Sequence, residues 1–343
     1  MKKNDFMRNY LAAKHRQKGL TLIELMVAMV ISLLIVLAAV AALVVSRQGF
    51  SSVDAASQLR DNGRFAVDLI QRLGVQAGYK DVRDAATPVP NSTAGIESNP
   101  PPNVYGINNQ KRSETNAWDE SSNWGSAVGA GSDILVLRNQ TSQLVPTATT
   151  SDQTMIDCMG VAPTAVPVDR YDRILSILHV GVGQDGEPSL MCTHIGSTGS
   201  LEAEPLIRGV ENFQVLYGVD GIGPNNATLP ASAASSPENG PERYLRADQI
   251  TNTSNAAVSY SNWRRVRSLR IGMVIRGPSG SAIDKSSQTL YPLGIAKGSS
   301  SGAIGSGLAD ASNDPGTVFT SSDGRLRQTV TFTVHLRNYQ QDN

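Results

Sequence analysis

The chain has 343 residues, enough for one large domain or two small ones with a sizeable core. Its 30 basic and 30 acidic residues cancel and only 17% of residues are charged, so net charge gives no ground for nucleic acid as a partner. The balance is uneven: the first 19 residues hold Lys2, Lys3, Arg8, Lys14, Arg16 and Lys18 against Asp5, leaving 24 basic and 29 acidic residues after them.

From Leu20 to Val45 run 26 residues interrupted only by Thr21, Glu24 and Ser32. As a helix this segment is about 39 Å long, against roughly 30 Å of bilayer hydrocarbon, so it can span. The basic residues before it predict a cytoplasmic N-terminus, with everything after Ser46 outside. The run is too long for the apolar region of an ordinary secretory signal, and the small-x-small site at Val53-Asp54-Ala55 lies beyond it. Composition alone leaves a plain signal anchor open. Glu24 bears on that choice. A carboxylate inside an apolar helix costs on the order of 2.5–3.5 kcal/mol near the bilayer centre and less at its edge, so it marks a partner, a function or a solvated interface position.

The stretch Lys18-Gly19-Leu20-Thr21-Leu22-Ile23-Glu24 resembles the type IV prepilin cleavage and methylation motif. The resemblance implies cutting after Gly19 by a membrane aspartic protease. It also implies N-methylation of Leu20 as the mature N-terminus, and a Glu24 that neutralises the new amine of a neighbouring subunit during assembly. An unpaired amine in hydrocarbon is costly, which gives that pairing its physical basis. Three departures stand out: Leu20 replaces the commoner phenylalanine, the 19-residue leader is long, and Ala41 stands where many major pilins have a kinking proline. A straighter membrane helix is expected in consequence. The presence of Glu24 argues against the topmost position in a filament.

Beyond Arg47 the helix is predicted to continue with an amphipathic face of Leu59, Ala66, Leu69, Ile70, Leu73 and Ala77. One helix of about 55–60 residues is expected, its second half packing on a head. Strand patterns follow at 133–138, 173–180, 188–193, 209–219, 266–276 and 328–337. In the last, Val330, Phe332, Val334 and Leu336 alternate with Thr331, Thr333, His335 and Arg337, the signature of a half-buried antiparallel strand. Polar loops are read at 87–131, 221–262 and 278–323. The helix-then-strand order predicts an α+β head with one antiparallel sheet wrapped on the helix. Cys158 and Cys192 both follow the apolar segment, so export favours a disulfide and retention favours buried thiols.

The blocks Gly209–Asp220, Trp263–Arg276 and Val334–Asn338 resemble PilW-type minor pilins, whose relatives include the J-type pseudopilins of type II secretion. The resemblance implies a type IV pilin fold in four parts: leader 1–19, membrane or filament-core helix 20–46, amphipathic helix 47–80 and periplasmic head 81–343. It implies a non-enzymatic subunit without cofactor that primes pilus assembly and sits near the tip. The implied partners are other minor pilins, the major pilin, the prepilin peptidase, the inner membrane and a large tip adhesin. A type II secretion pseudopilin is the nearest alternative, and a signal-anchored periplasmic binding or enzymatic domain is the alternative of another class.

Other motifs carry less. Gly181-Val182-Gly183-Gln184-Asp185-Gly186 matches GxGxxG, but Glu187-Pro188 and a strand follow, which predicts a hairpin turn. His15, His179, His194 and His335 are isolated, and His194 two residues from Cys192 is a weak zinc signal. Asp310, Asn313 and Asp314 lack EF-hand spacing. Trp118 and Trp124, near Lys111 and Arg112, read as loop packing before they read as a stacking platform.

Overall fold

A computed structural model describes residues 19–81, 101–112, 129–145, 148–168, 172–222, 240–282, 284–294 and 317–338. Leader residues 1–18, Trp118, Trp124 and the Asp310–Asp314 group lie outside the described residues. By its internal contacts the chain divides after Phe50 into two compact units.

Helix α1 (Leu22–Gln76) runs for 55 residues, within the expected length, and is unbroken at Ala41. Its end has three local causes. Gly78 takes φ 77°, a conformation that costs glycine little. The amide of Gly78 donates to Arg138 O at 2.8 Å, drawing the chain into the head. The side-chain amide of Asn338 donates to the carbonyls of Val75 and Ala77 at 3.0 and 3.2 Å, satisfying acceptors that the last turn leaves free.

The head is antiparallel throughout its described strands. Strands β1 (Val104–Ile107), β2 (Ile134–Asn139), β3 (Ile174–Val182), β4 (Pro188–Ile195) and β5 (Leu201–Arg208) form one sheet in chain order. Strands β6 (Val210–Val219), β7 (Arg243–Leu245), β8 (Val266–Arg276) and β11 (Arg327–His335) form a second, ordered β11-β8-β6-β7. Strands β9 (Gln288–Leu290) and β10 (Phe319–Ser321) pair separately. Two short helices, α2 (Ala247–Ile250) and α3 (Ala256–Trp263), stand between β7 and β8.

The α+β head is as expected, but it holds two main sheets where a single one was anticipated. Six strands lie where the strand patterns placed them. Strand β5 was not foreseen because Glu202, Glu204 and Pro205 break the apolar pattern, and it forms the sheet edge, where such residues are tolerated. A register shift opposite Leu190/Met191 accommodates Pro205. Helices α2 and α3 fall inside a stretch read as loop. The GxGxxG segment is the β3–β4 hairpin turn, with Gly186 at φ 75° and Gly183 N–H donating to Glu187 O at 2.9 Å.

One core joins the second half of α1 to both sheets. Leu59, Ala66, Ile70, Leu73 and Ala77 are buried with Phe213, Tyr217, Trp263, Ile271 and Val334. Full burial of each large apolar side chain is worth roughly 1.5–3 kcal/mol. The sheets are also joined by polar groups. Asp133, buried before β2, accepts the Val215 N–H at 2.8 Å, and its own N–H donates to Phe213 O at 2.8 Å.

Candidate functional site

The N-terminal unit presents apolar side chains without cover. From Leu20 to Val45 every large apolar residue is exposed, from 47% at Val44 to 77% at Leu20. The segment is long and apolar enough to cross a membrane. An apolar surface of this extent requires lipid or other apolar helices as surroundings.

Its first turn is closed by a capping box. The N–H and hydroxyl of Thr21 donate to Glu24 Oε2 at 2.9 and 3.0 Å, while the Glu24 N–H donates to Thr21 Oγ1 at 3.3 Å. Such reciprocal bonds satisfy otherwise orphaned donors, and a carboxylate there complements the helix dipole. Gly19 and Leu20 are exposed immediately before this box. Gly19, Leu20 and Glu24 therefore all lie at the helix start, with the carboxylate of Glu24 turned back onto Thr21.

In the head, Cys158 and Cys192 form a disulfide with a Cα–Cα distance of 5.8 Å, packed in the core. Two histidines differ in setting. Burial pushes the pKa of His179 down to about 4, so its ring is neutral at pH 7 and meets Thr193 Oγ1 at 3.0 Å. His194 instead has Nδ1 at 2.8 Å from Asp157 Oδ2, a pairing across 37 residues that no spacing motif announces.

A largely sheltered ion network likewise has no local signature in the sequence. Arg276 donates to Glu187 at 2.7 Å and to Glu211 at 2.9 Å. Arg325 reaches Glu187 at 3.1 Å, and Arg327 reaches Glu211 at 2.6 Å and Asp323 at 2.7 Å. The hydrogen bond from Arg327 holds the carboxyl of Asp323 down to about 2. For Glu187 burial acts upward, but the bonds from Arg276 and Arg325 outweigh it and the net shift is downward. Since Glu187 sits between β3 and β4 while the arginines belong to or flank β8 and β11, the network ties one sheet to the other.

Residues 14–40 match the Prokaryotic N-terminal methylation motif, and residues 177–338 match Type IV Pilus-assembly protein W. The chain resembles PilW-like type IV pilins in both segments. Its fold is the α+β arrangement of a long N-terminal apolar helix and an antiparallel head. A solved structure with similarity is the type IV-like pilin TTHA1219 from Thermus thermophilus, at 12% identity and TM-score 0.39, covering 82% of this chain and 98% of that one. No curated protein matches the chain. The PilW-type match spans β3 to the residues after β11, so it includes the ion network, the β8–β6 core and the Asn338 cap of α1.

Proposed function

We propose that this pilin is a minor subunit that primes assembly of a type IV pilus and sits near its tip, in complex with other minor pilins. The observation that carries the proposal is the union in one chain of the methylation motif and a PilW-type domain. The proposed organisation is leader 1–19, membrane or filament helix 20–46, amphipathic helix 47–80 and periplasmic head 81–343.

On this reading the prepilin peptidase cuts after Gly19 and Leu20 becomes the N-methylated terminus. The Thr21 and Glu24 capping box keeps the helix start closed in the precursor. After cleavage the carboxylate of Glu24 lies beside a chain end carrying a new positive charge. Within a filament it can serve the amine of a neighbouring subunit, and the cost of an unpaired charge among apolar helices selects the register in which each amine meets an acid. The head supplies contacts to other minor pilins, the major pilin and a large tip adhesin.

The test is mass spectrometry of the mature N-terminus from the native host, with and without the prepilin peptidase. An N-methylated Leu20 that disappears with the peptidase is expected. An intact Met1 in both strains, or a start at Ala56, overturns the pilin processing. Priming is tested by piliation: deletion or Glu24→Ala should abolish pili while the variant is still expressed. Normal pili in both strains overturn the priming role, and co-purification with type II secretion components alone would assign the chain to a pseudopilus.

A further inference from the structure

We propose that His194, Glu202 and Glu204 form a binding site for a divalent transition-metal ion of the zinc class, with Asp157 orienting the imidazole from behind. The site belongs to the head and stands independently of the pilus-priming role.

The register of β4 against β5 builds it. His194 stands opposite Glu202 and Cys192 opposite Glu204, so the two-residue period puts His194, Glu202 and Glu204 on one face of the ladder. A ring nitrogen of His194 and one carboxylate oxygen from each glutamate lie within 4.8 Å of one another. Ligands at zinc distances in a tetrahedron stand about 3.4 Å apart, and rotation of the two glutamate side chains closes that difference. Both are free to turn, since Glu202 is half-buried and Glu204 exposed.

The imidazole is held in place. The His194 side chain is only 9% exposed, and its Nδ1 lies 2.8 Å from Asp157 Oδ2. Asp157 is itself anchored, because Oδ1 accepts the N–H of Met159 and of Val161 at 2.8 and 2.9 Å. The Cys158–Cys192 disulfide ties the neighbour of Asp157 to the strand that carries His194. A carboxylate on Nδ1 fixes the tautomer that leaves the Nε2 lone pair available, the arrangement found behind metal-ligating histidines. Among the described residues nothing hydrogen-bonds to that Nε2, although the ring is nine-tenths buried.

The surroundings leave space for an ion. Any side chain at Gly196 would overlap the carboxylate of Glu202, so the hairpin glycine makes room for that ligand. Asp157, His194, Glu202 and Glu204 line one cavity of about 710 Å³. One imidazole with two carboxylates suits zinc and its neighbours in the first transition row, whereas calcium and magnesium prefer oxygen alone. Three protein ligands leave a fourth position for water or for a group from outside the chain.

The experiment is calorimetric titration of zinc chloride into the full-length chain, stripped of metal and held in detergent. One zinc ion per chain is expected. Glu202→Gln combined with Glu204→Gln should weaken binding at least a hundredfold while leaving the zinc-free melting temperature unchanged. Asp157→Asn should weaken it about tenfold through the second coordination shell. Absence of stoichiometric zinc, or unchanged affinity in the double glutamine variant, overturns the site. Calcium chloride binding more tightly than zinc overturns the assigned metal class.

Discussion

Val334 of β11 lies so close to Gly74 of α1 that a Cβ built on the glycine would sit 2.6 Å from Val334 Cγ1. Eleven residues earlier on the helix, a Cβ on Gly63 would meet Val330 Cγ2 at 3.0 Å. The helix thus approaches the second sheet closely at two glycines, facing two same-face valines of one strand.

The two contacts predict different responses to alanine. Helix propensity favours Gly→Ala by roughly 0.5–1 kcal/mol at either site. At both sites the neighbour is a stiff valine, but the overlap at Gly74 is deeper, and relieving it costs about 1–3 kcal/mol. Gly74→Ala should therefore lower the unfolding midpoint, while Gly63→Ala, needing only a small shift of Val330, should be near neutral. Denaturant unfolding of both variants checks this, and equal destabilisation would contradict it.

Replacing Cys158 and Cys192 with serine should destabilise the head. The bridge closes a loop with a sequence separation of 34, worth roughly 3–4 kcal/mol on the chain-entropy model. Both positions are also buried, so each serine hydroxyl needs a partner within the core. Urea midpoints with and without reductant provide the measurement. The wild-type chain should approach the double serine variant only when reduced, and a midpoint indifferent to both would count against the bridge as a staple.

Acid should weaken the head through the ion network. Asp323 is held at about 2 in the folded state against an ordinary value of 3.8, and Glu187 is also lowered. Their stabilising effect is complete above the ordinary carboxylate range and is lost as pH falls from about 4 toward 2, because the unfolded chain takes up protons first. Asp323 is 39% exposed, so solvent screens part of the effect. Urea midpoints across that range should fall with pH, and Arg327→Met should flatten the slope while lowering stability at neutral pH. A slope unchanged in that variant would contradict the assignment.

The fold was legible where its pattern is local. Leu59, Ala66, Ile70 and Leu73 repeat at helical spacing and are buried, and Val334 within its alternating run packs into the same core. Strand β5 was hidden because Glu202, Glu204 and Pro205 belong to an edge, where one side of the ladder answers to solvent and not to a packing partner. In β8 alternation predicted one buried face, yet Gly272 and Val274 are buried too, since the backbone at Pro292 lies against Gly272.

The long apolar helix, the charged segment before it and the run from Lys18 to Glu24 are legible along the chain, because length, polarity and short motifs are properties of contiguous residues. Folding alone brings two sheets onto one core, joins Glu187 to Glu211 through Arg276, and sets Asp157 behind His194. Those relations join residues 37 to 89 positions apart in the chain. They depend on strand register and loop closure, which the whole packed chain sets together and no local period encodes.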